Sequence, residues 1–310
     1  MIGAMTREDS TLPLEILAVW VVLAVVAVEI LVTYWRLAPS ELYHVSGSGL
    51  EGGASRALVF SNFPTALVAI AVLALLWDRL RGTAADAAVV GVALCAAVFW
   101  PGVVDQADLD ARPVNVVAAV GVLVAAVLSA LVRRRGTRIE RWHPSDRARV
   151  VVAAAALFIG LPWIAAELGF FLEGVPVLGT IFRTERWSSG DQIVPPPVVH
   201  HGHHHGMDGV LLVLSALLLS RVVPSVRRSR LRVAIGAYLS LMLAYGAANI
   251  ANDFWTEQAV KRGWTRWLFP DVLRPSLTIA WGLIVLAAAL IYAAARAGNG
   301  MKPREKPSSR

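Results

Sequence analysis

The chain has 310 residues, of which 56% are hydrophobic and only 16% are charged, and its mean hydropathy is +0.60. Soluble domains carry about a quarter charged residues, so this composition excludes an ordinary soluble protein and indicates membrane spans. The net charge of +7 comes mostly from arginines between apolar stretches, which favours membrane lipids over nucleic acid as partners. The single cysteine, Cys95, excludes an intrachain disulfide and a cysteine-based zinc site.

The apolar stretches predict an all-α, polytopic integral membrane protein with eight transmembrane helices. In chain order the predicted spans are 14–34, 57–77, 84–102, 113–132, 150–172, 198–223, 231–250 and 275–295. The sixth is the weakest, because its apolar part, 209–223, makes only about 22 Å of helix, against a hydrocarbon core of about 30 Å. We expect one membrane domain over 1–297 and a disordered tail over 298–310.

Lysine and arginine are distributed unevenly between the two ends of these spans. Of the 29 lysines and arginines, twenty lie at the N-terminus, around the loops that follow spans two, four and six, and in the tail. The other nine lie in loops 35–56, 103–112, 173–208 and 251–274. Positive charge is retained in the cytoplasm, so we expect both termini to be cytoplasmic in a bacterial inner membrane and these four loops to be extracytoplasmic. The aromatic residues of 251–274 predict either an interfacial amphipathic helix or an aromatic belt.

The most informative motif is the run 200–208, which holds five of the seven histidines and an aspartate. Imidazoles beside a carboxylate are a ligand set of divalent transition metals such as zinc and copper. If the sixth helix begins just after the prolines at 195–197, His201, His205 and Asp208 are spaced i, i+4, i+7 and share one face. Weak chelation by a flexible loop, and histidines that titrate without a metal, remain open alternatives.

Two glutamates lie well inside predicted spans, where ionisable groups usually have a partner or a function. Glu29 and Glu167 each lie five residues from the outer end of their span, and Asn62 lies five residues into the second span. Five helical residues correspond to about 7–8 Å, so we expect these groups in one layer beneath the histidine run. Glu167 and Glu29 are the predicted catalytic carboxylates. The predicted metal ligands are His201, His204, His205, Asp208 and Glu167.

Three functions are compatible with this pattern. The first is metal-assisted hydrolysis or transfer on a lipid-linked substrate, since the predicted site lies at the level of the lipid headgroups. The second is a transporter of a metal or another small solute, and the third is a non-catalytic subunit or sensor that binds a protein partner or a second copy of the chain. Whether the protein is an enzyme is therefore left open by its sequence.

Overall fold

A computed structural model describes residues 11–105, 108–134, 136–170, 176, 179–182, 198–270, 272–273 and 275–300. Most of the predicted outer loop 173–208 up to residue 197, and the tail over 301–310, lie outside these residues. The described helices are α1 (Leu14–Arg36), α2 (Gly49–Phe60), α3 (Ala66–Trp77), α4 (Thr83–Cys95), α5 (Asn115–Arg133), α6 (Asp146–Glu167), α7 (Gly179–Phe182), α8 (His205–Ser220), α9 (Ser229–Trp255) and α10 (Ile279–Gly300). Two short strands, β1 (Leu12–Pro13) and β2 (Thr137–Arg138), pair in parallel.

Six helical segments of the described chain are long and apolar enough to cross a membrane. They are Leu14–Arg36, Gly49–Trp77, Asn115–Arg133, Asp146–Glu167, Ser229–Val260 and Ile279–Ala297. The prediction of a mostly helical, membrane-type chain is confirmed to this extent. Two further apolar helices, Thr83–Phe99 and His205–Ser220, are shorter; the second is 16 residues long, which is about 24 Å of helix.

Two of the predicted outer loops contain more helix than expected. α2 begins at Gly49, inside the predicted loop 35–56. α9 continues without interruption through a widened helical turn, Thr256–Val260, so residues 251–260 of the predicted loop 251–274 belong to the apolar helical segment Ser229–Val260. A separate interfacial helix, one of the two alternatives for this loop, is not formed in 261–270.

The segments that connect the helices form two layers, one at each end of the helices, and polar contacts join the segments within each layer. In the first layer Arg79 donates to the carbonyl of Thr11 (3.0 Å) and to Ser225 Oγ (2.9 Å), and Arg221 donates to the carbonyl of Glu140 (2.9 Å). The segments that the charge pattern assigns to the cytoplasmic side therefore lie together.

The second layer is formed by the segments assigned to the outer side. The backbone N–H of Ser46 donates to Asp110 Oδ2 (2.9 Å), and the ring of Tyr43 stacks on that of His200 with centroids 4.7 Å apart. α4 and α8, although short, each run from one layer to the other.

Glycine at two facing positions brings α8 and α9 into backbone contact. A Cβ on Gly209 would lie 2.5 Å from the carbonyl oxygen of Gly246, and one on Gly246 would lie 2.7 Å from the carbonyl oxygen of Gly209. Small residues allow this close approach between membrane helices. The contact matters for function because α8 carries Asp208 and the α9 segment carries Asp253 and Glu257.

The long segment Gly49–Trp77 is broken at Phe63, which has extended backbone angles (φ −152°, ψ 123°) and precedes Pro64. A residue before proline is disfavoured in helical conformation. Asn62 donates to the backbone carbonyl of Asn115 (2.9 Å), and Asn115 donates back to Asn62 Oδ1 (3.2 Å), so the break is tied to α5. Asn62 and Phe63 thereby border a cavity among the helices in the outer layer.

Candidate metal centre

The histidine run does not form the helical face that its spacing predicts. α8 begins at His205, and His204 has extended backbone angles (φ −104°, ψ 149°). Gly202 has a φ of +101°, and the Tyr34 hydroxyl lies 2.4 Å from the place where a Cβ would stand, so only glycine fits there. His201 therefore lies outside the helix that carries Asp208, and consecutive histidines reach different partners.

His204 forms a buried trio with Asp253 and Glu257. Its Nδ1 lies 3.1 Å from Glu257 Oε1 and 3.6 Å from Asp253 Oδ2, and all three ligand atoms lie within 4.8 Å of one another. The exposed fractions of the three side chains are 1%, 6% and 2% respectively. Two ligands of a tetrahedral zinc ion stand about 3.4 Å apart, given bonds of about 2.1 Å, so the spacing of this trio suits a small divalent cation.

Each member of the trio is held by a further hydrogen bond. His204 Nε2 lies 2.9 Å from the backbone carbonyl of His200, Trp163 Nε1 donates to Glu257 Oε2 (2.7 Å), and the backbone N–H of Gly206 donates to Asp253 Oδ2 (2.8 Å). Metal-binding histidines and carboxylates usually have such outer partners, which fix the ring tautomer and the carboxylate orientation.

The contact with His200 determines the protonation of His204. A carbonyl oxygen only accepts hydrogen bonds, so Nε2 carries a proton and a neutral ring presents the Nδ1 lone pair to two carboxylates. This arrangement requires a cation, either a proton on Nδ1 or a metal ion between the three side chains. Burial by itself lowers the pKa of His204, but the Glu257 and Asp253 carboxylates outweigh it and raise the pKa to about 10.

The geometry around Glu257 favours a bound cation at this place. Its Oε1 is buried, and its contact with His204 Nδ1 does not have hydrogen-bond geometry. A buried carboxylate oxygen without a donor is costly, and a metal ion would supply the missing partner.

The acids of this region are not paired with arginine or lysine. Among the described residues, the ion pairs of four of these acids are formed only with histidines, and Glu29 forms none. The acids concerned are Glu29, Glu167, Asp208, Asp253 and Glu257. Buried charges are normally paired or coordinate a metal, so the excess of carboxylates also favours a cation here.

His203 lies between Glu167 and Asp208 and is fully buried. Its Nδ1 contacts Glu167 Oε1, and its Nε2 lies 2.5 Å from Asp208 Oδ1. Burial lowers the pKa of His203, but Asp208 and Glu167 together raise it to about 9. Because the two carboxylates lie at opposite edges of one ring, they face His203 and do not join the trio.

The other predicted site residues have different surroundings. His205 Nε2 lies 3.1 Å from Asn252 Oδ1 and 3.5 Å from Asp253 Oδ1, and its side chain is 30% exposed. His201 is paired through its backbone with Leu42. Glu29 is half-buried and interacts electrostatically with Glu167 and His203; the layer expected beneath the histidine run stays a prediction.

Of the predicted ligand set, the trio thus contains only His204. Metal binding by His201, His205, Asp208 and Glu167, and catalysis by Glu167 and Glu29, stay predictions. Asp253 and Glu257 were missed although their spacing was a readable signal: Asn249, Asp253 and Glu257 recur every four residues and so share one helix face. His203 was missed because its partners are set by the turn at Gly202 and not by helical spacing.

A cavity of about 230 Å³ borders the trio. Its polar lining includes His203, His204, His205, Asp208, Asp253, Glu257, Arg56 and Lys261, whereas Glu167 and Glu29 do not border it. His200 covers one side: its ring stacks on that of His204 with centroids 4.0 Å apart. Burial, followed by the charge of His204, lowers the pKa of His200 to about 2, so this ring is neutral.

The arrangement can therefore hold a cation with three protein ligands beside a small cavity. Three ligands and an open position are the pattern of catalytic rather than structural zinc sites. Comparison of the chain with protein-family models, with curated proteins and with solved structures finds no match.

Proposed function

We propose that this protein is a membrane enzyme that holds a divalent transition metal, such as zinc, between His204, Asp253 and Glu257 and catalyses hydrolysis or group transfer on a lipid-linked substrate. The observation that carries the proposal is the position of His204 Nδ1, which faces two buried carboxylates. A divalent ion at that point satisfies all three groups at once, including the donorless oxygen of Glu257.

The cavity supports catalysis over purely structural binding. A bound ion supplies Lewis acidity, which polarises an ester or phosphoryl oxygen and activates water. His205 borders the same cavity and is partly exposed, so its ring can accept or donate a proton there. His203 is locked between Glu167 and Asp208 and positions Asp208, which also borders the cavity.

The proposed substrate is lipid-linked because of where the cavity lies. It is in the layer that the charge pattern assigns to the outer face, at the ends of helices whose remaining surfaces are apolar.

We propose eight spans with both termini in the cytoplasm, since α4 and α8 run between the same two layers as the six longer segments. The distribution of positive charge supports the proposed inner-membrane topology, in which the histidine layer faces outward.

The test is an activity measurement on the full chain, reconstituted into vesicles made from bacterial polar lipids. Mass spectrometry of the lipids before and after incubation should reveal a cleaved or transferred headgroup. A chelator should abolish this lipid change, and added zinc should restore it. His204→Ala should abolish the change, whereas Trp100→Phe, at an exposed ring, should leave it intact. Zinc accumulation inside the vesicles without any lipid change would contradict the enzyme and favour a transporter.

A further inference from the structure

Among the residues that the structure describes, Arg56 is a buried cation without an acidic partner, beside a group of acids that are not paired with arginine or lysine. Its residue is 5% exposed, and its Nε is buried without a hydrogen-bond acceptor. No ion pair or hydrogen bond is formed by its guanidinium within the described part of the chain. Its guanidinium lies over the ring of Tyr34, whose centroid is 5.7 Å from Cζ. An aromatic face attracts the charge but leaves the five N–H donors of an arginine unused.

The packing of α2 against α1 fixes Arg56 in this position. A Cβ on Gly53 would lie 2.3 Å from the carbonyl oxygen of Leu31, so the two helices approach as closely as their backbones allow. Three residues after Gly53, Arg56 is thereby held over Tyr34. Arg56 is thus a buried residue on a closely packed helix and not a freely rotating surface side chain.

Arg56 is also tied to the proposed metal centre. One helical turn after Arg56, on the same face of α2, Phe60 lies edge-on against His203 with ring centroids 5.2 Å apart. The hydroxyl of Tyr34 accepts the backbone N–H of His203 (3.0 Å). Arg56 lines the same cavity as His204, Asp253 and Glu257.

The other charged groups that line the cavity already have partners. Asp105 pairs with Arg112, Asp208 with His203, and Asp253 and Glu257 with His204. The second cation, Lys261, is exposed and donates to the carbonyl of Val198 (2.8 Å). Within the described part of the chain no group supplies an acceptor to Arg56, which leaves its guanidinium available to an anionic group that enters the cavity.

We propose that Arg56 binds a phosphate group of the substrate, next to the metal held by His204, Asp253 and Glu257. This inference rests on the proposed function. A guanidinium matches the geometry of phosphate oxygens with two parallel N–H bonds. A divalent ion combined with arginine or lysine is a common clamp for phosphoryl groups. Phosphate is also the anion present at the headgroup level of a membrane. Its source is either a phospholipid headgroup or a small soluble phosphate compound.

The experiment measures binding by calorimetry on the full chain in an uncharged detergent, after loading with zinc. The probes are inorganic phosphate, a short-chain phosphatidic acid, and a diacylglycerol of the same chain length as the uncharged control. Arg56→Gln should weaken binding of the phosphate probes by about 10-fold to 100-fold, the value of a charge-assisted hydrogen bond. Arg56→Lys keeps the charge but loses the paired N–H bonds, so its affinity for the phosphate probes should lie between those of the wild type and Arg56→Gln. Arg266→Gln, at an exposed arginine, should bind as the wild type does.

The outcomes distinguish the two possible sources of the phosphate group, and they distinguish failure of this proposal from failure of the proposed metal centre. Weaker binding in the Arg56 variants supports the proposal. Equal wild-type affinity for inorganic phosphate and phosphatidic acid then indicates a soluble phosphate compound, and much tighter phosphatidic acid binding indicates a lipid headgroup. Unchanged phosphate affinity in Arg56→Gln and Arg56→Lys overturns it. Zinc content is measured on every preparation. If the protein retains zinc but its phosphate binding does not depend on Arg56, only the present proposal is contradicted. If phosphate binding depends on Arg56 but the protein holds no zinc, only the metal centre is contradicted.

Discussion

The Nε2 atom of His204 lies 2.9 Å from the carbonyl oxygen of His200, and this contact directs the other ring nitrogen, Nδ1, at Asp253 and Glu257. His200 holds the ring from two directions, since its own imidazole also stacks on that of His204. A histidine four residues earlier in the chain therefore sets the tautomer that a metal ligand needs. The proposed centre is consequently pre-organised by the run of histidines, although only one of them belongs to the trio.

The hydrogen bond from Trp163 to Glu257 should affect metal affinity. Trp163→Phe removes the Nε1–H that holds Glu257 Oε2 (2.7 Å), and loss of such an outer partner weakens metal binding by about 10-fold to 100-fold. Competition with a chelating dye measures the affinity. Trp100→Phe is the control, because Trp100 is 74% exposed. Equal zinc affinity in the two variants would show that this bond does not orient the carboxylate.

Zinc affinity should rise with pH. In the absence of metal the pKa of His204 is raised to about 10, so below that pH a metal ion must displace a proton from Nδ1. Displacement of one proton makes the affinity rise about tenfold per pH unit between pH 6 and pH 8. Dye competition at three pH values measures the slope, and His143→Gln, at the opposite end of the molecule, should give the same slope. An affinity independent of pH would contradict the assignment of His204 as a ligand.

Removal of His203 should destabilise the fold without removing the metal. His203→Gln leaves Glu167 and Asp208 buried without their shared cation, and breaking a buried ion pair in this way costs about 3–5 kcal/mol. Thermal unfolding in one detergent measures the loss, and elemental analysis of the same sample should still find zinc. His143→Gln should have little effect on stability. A variant as stable as the wild type would mean that the two carboxylates are neutral.

Contact between α8 and α9 should not tolerate a methyl group. Gly209→Ala places a Cβ 2.5 Å from the carbonyl oxygen of Gly246, and overpacking of this kind costs about 1–3 kcal/mol. Gly282→Ala is the matched control on α10, because no atom lies within 4 Å of the added Cβ. Unfolding of the two variants in the same detergent compares them. Equal stability would contradict the backbone contact between the helices.

The sequence predicted the helices better than the site, for a physical reason. Long apolar stretches are local, so the first span and the end of the second at Trp77 were predicted to within a few residues, whereas the second span begins earlier than predicted, at Gly49. The partners of His203 and His204 depend instead on a single backbone feature, the positive φ of Gly202, which directs consecutive histidines to different helices. A prediction based on helical spacing assigns such residues to one face and so does not reveal that His203 and His204 contact different acids.

The extension of α9 had a similar effect. The predicted seventh span stopped at residue 250, where apolar residues give way to acids, yet the helix continues to Val260. It does so because Asp253 and Glu257 are buried on the same face as Asn249, against the histidine layer. The sequence contains this four-residue spacing, but the hydropathy that defines a span does not reveal it.

The most direct test of the proposed centre is the metal content of the full chain, purified without a histidine tag and without metal-affinity resin. Elemental analysis should find about one divalent transition metal ion per chain in the wild type and in His201→Ala. It should find almost none in His204→Ala or Glu257→Gln. A full complement of metal in His204→Ala, or none in the wild type after exposure to zinc, would contradict the account.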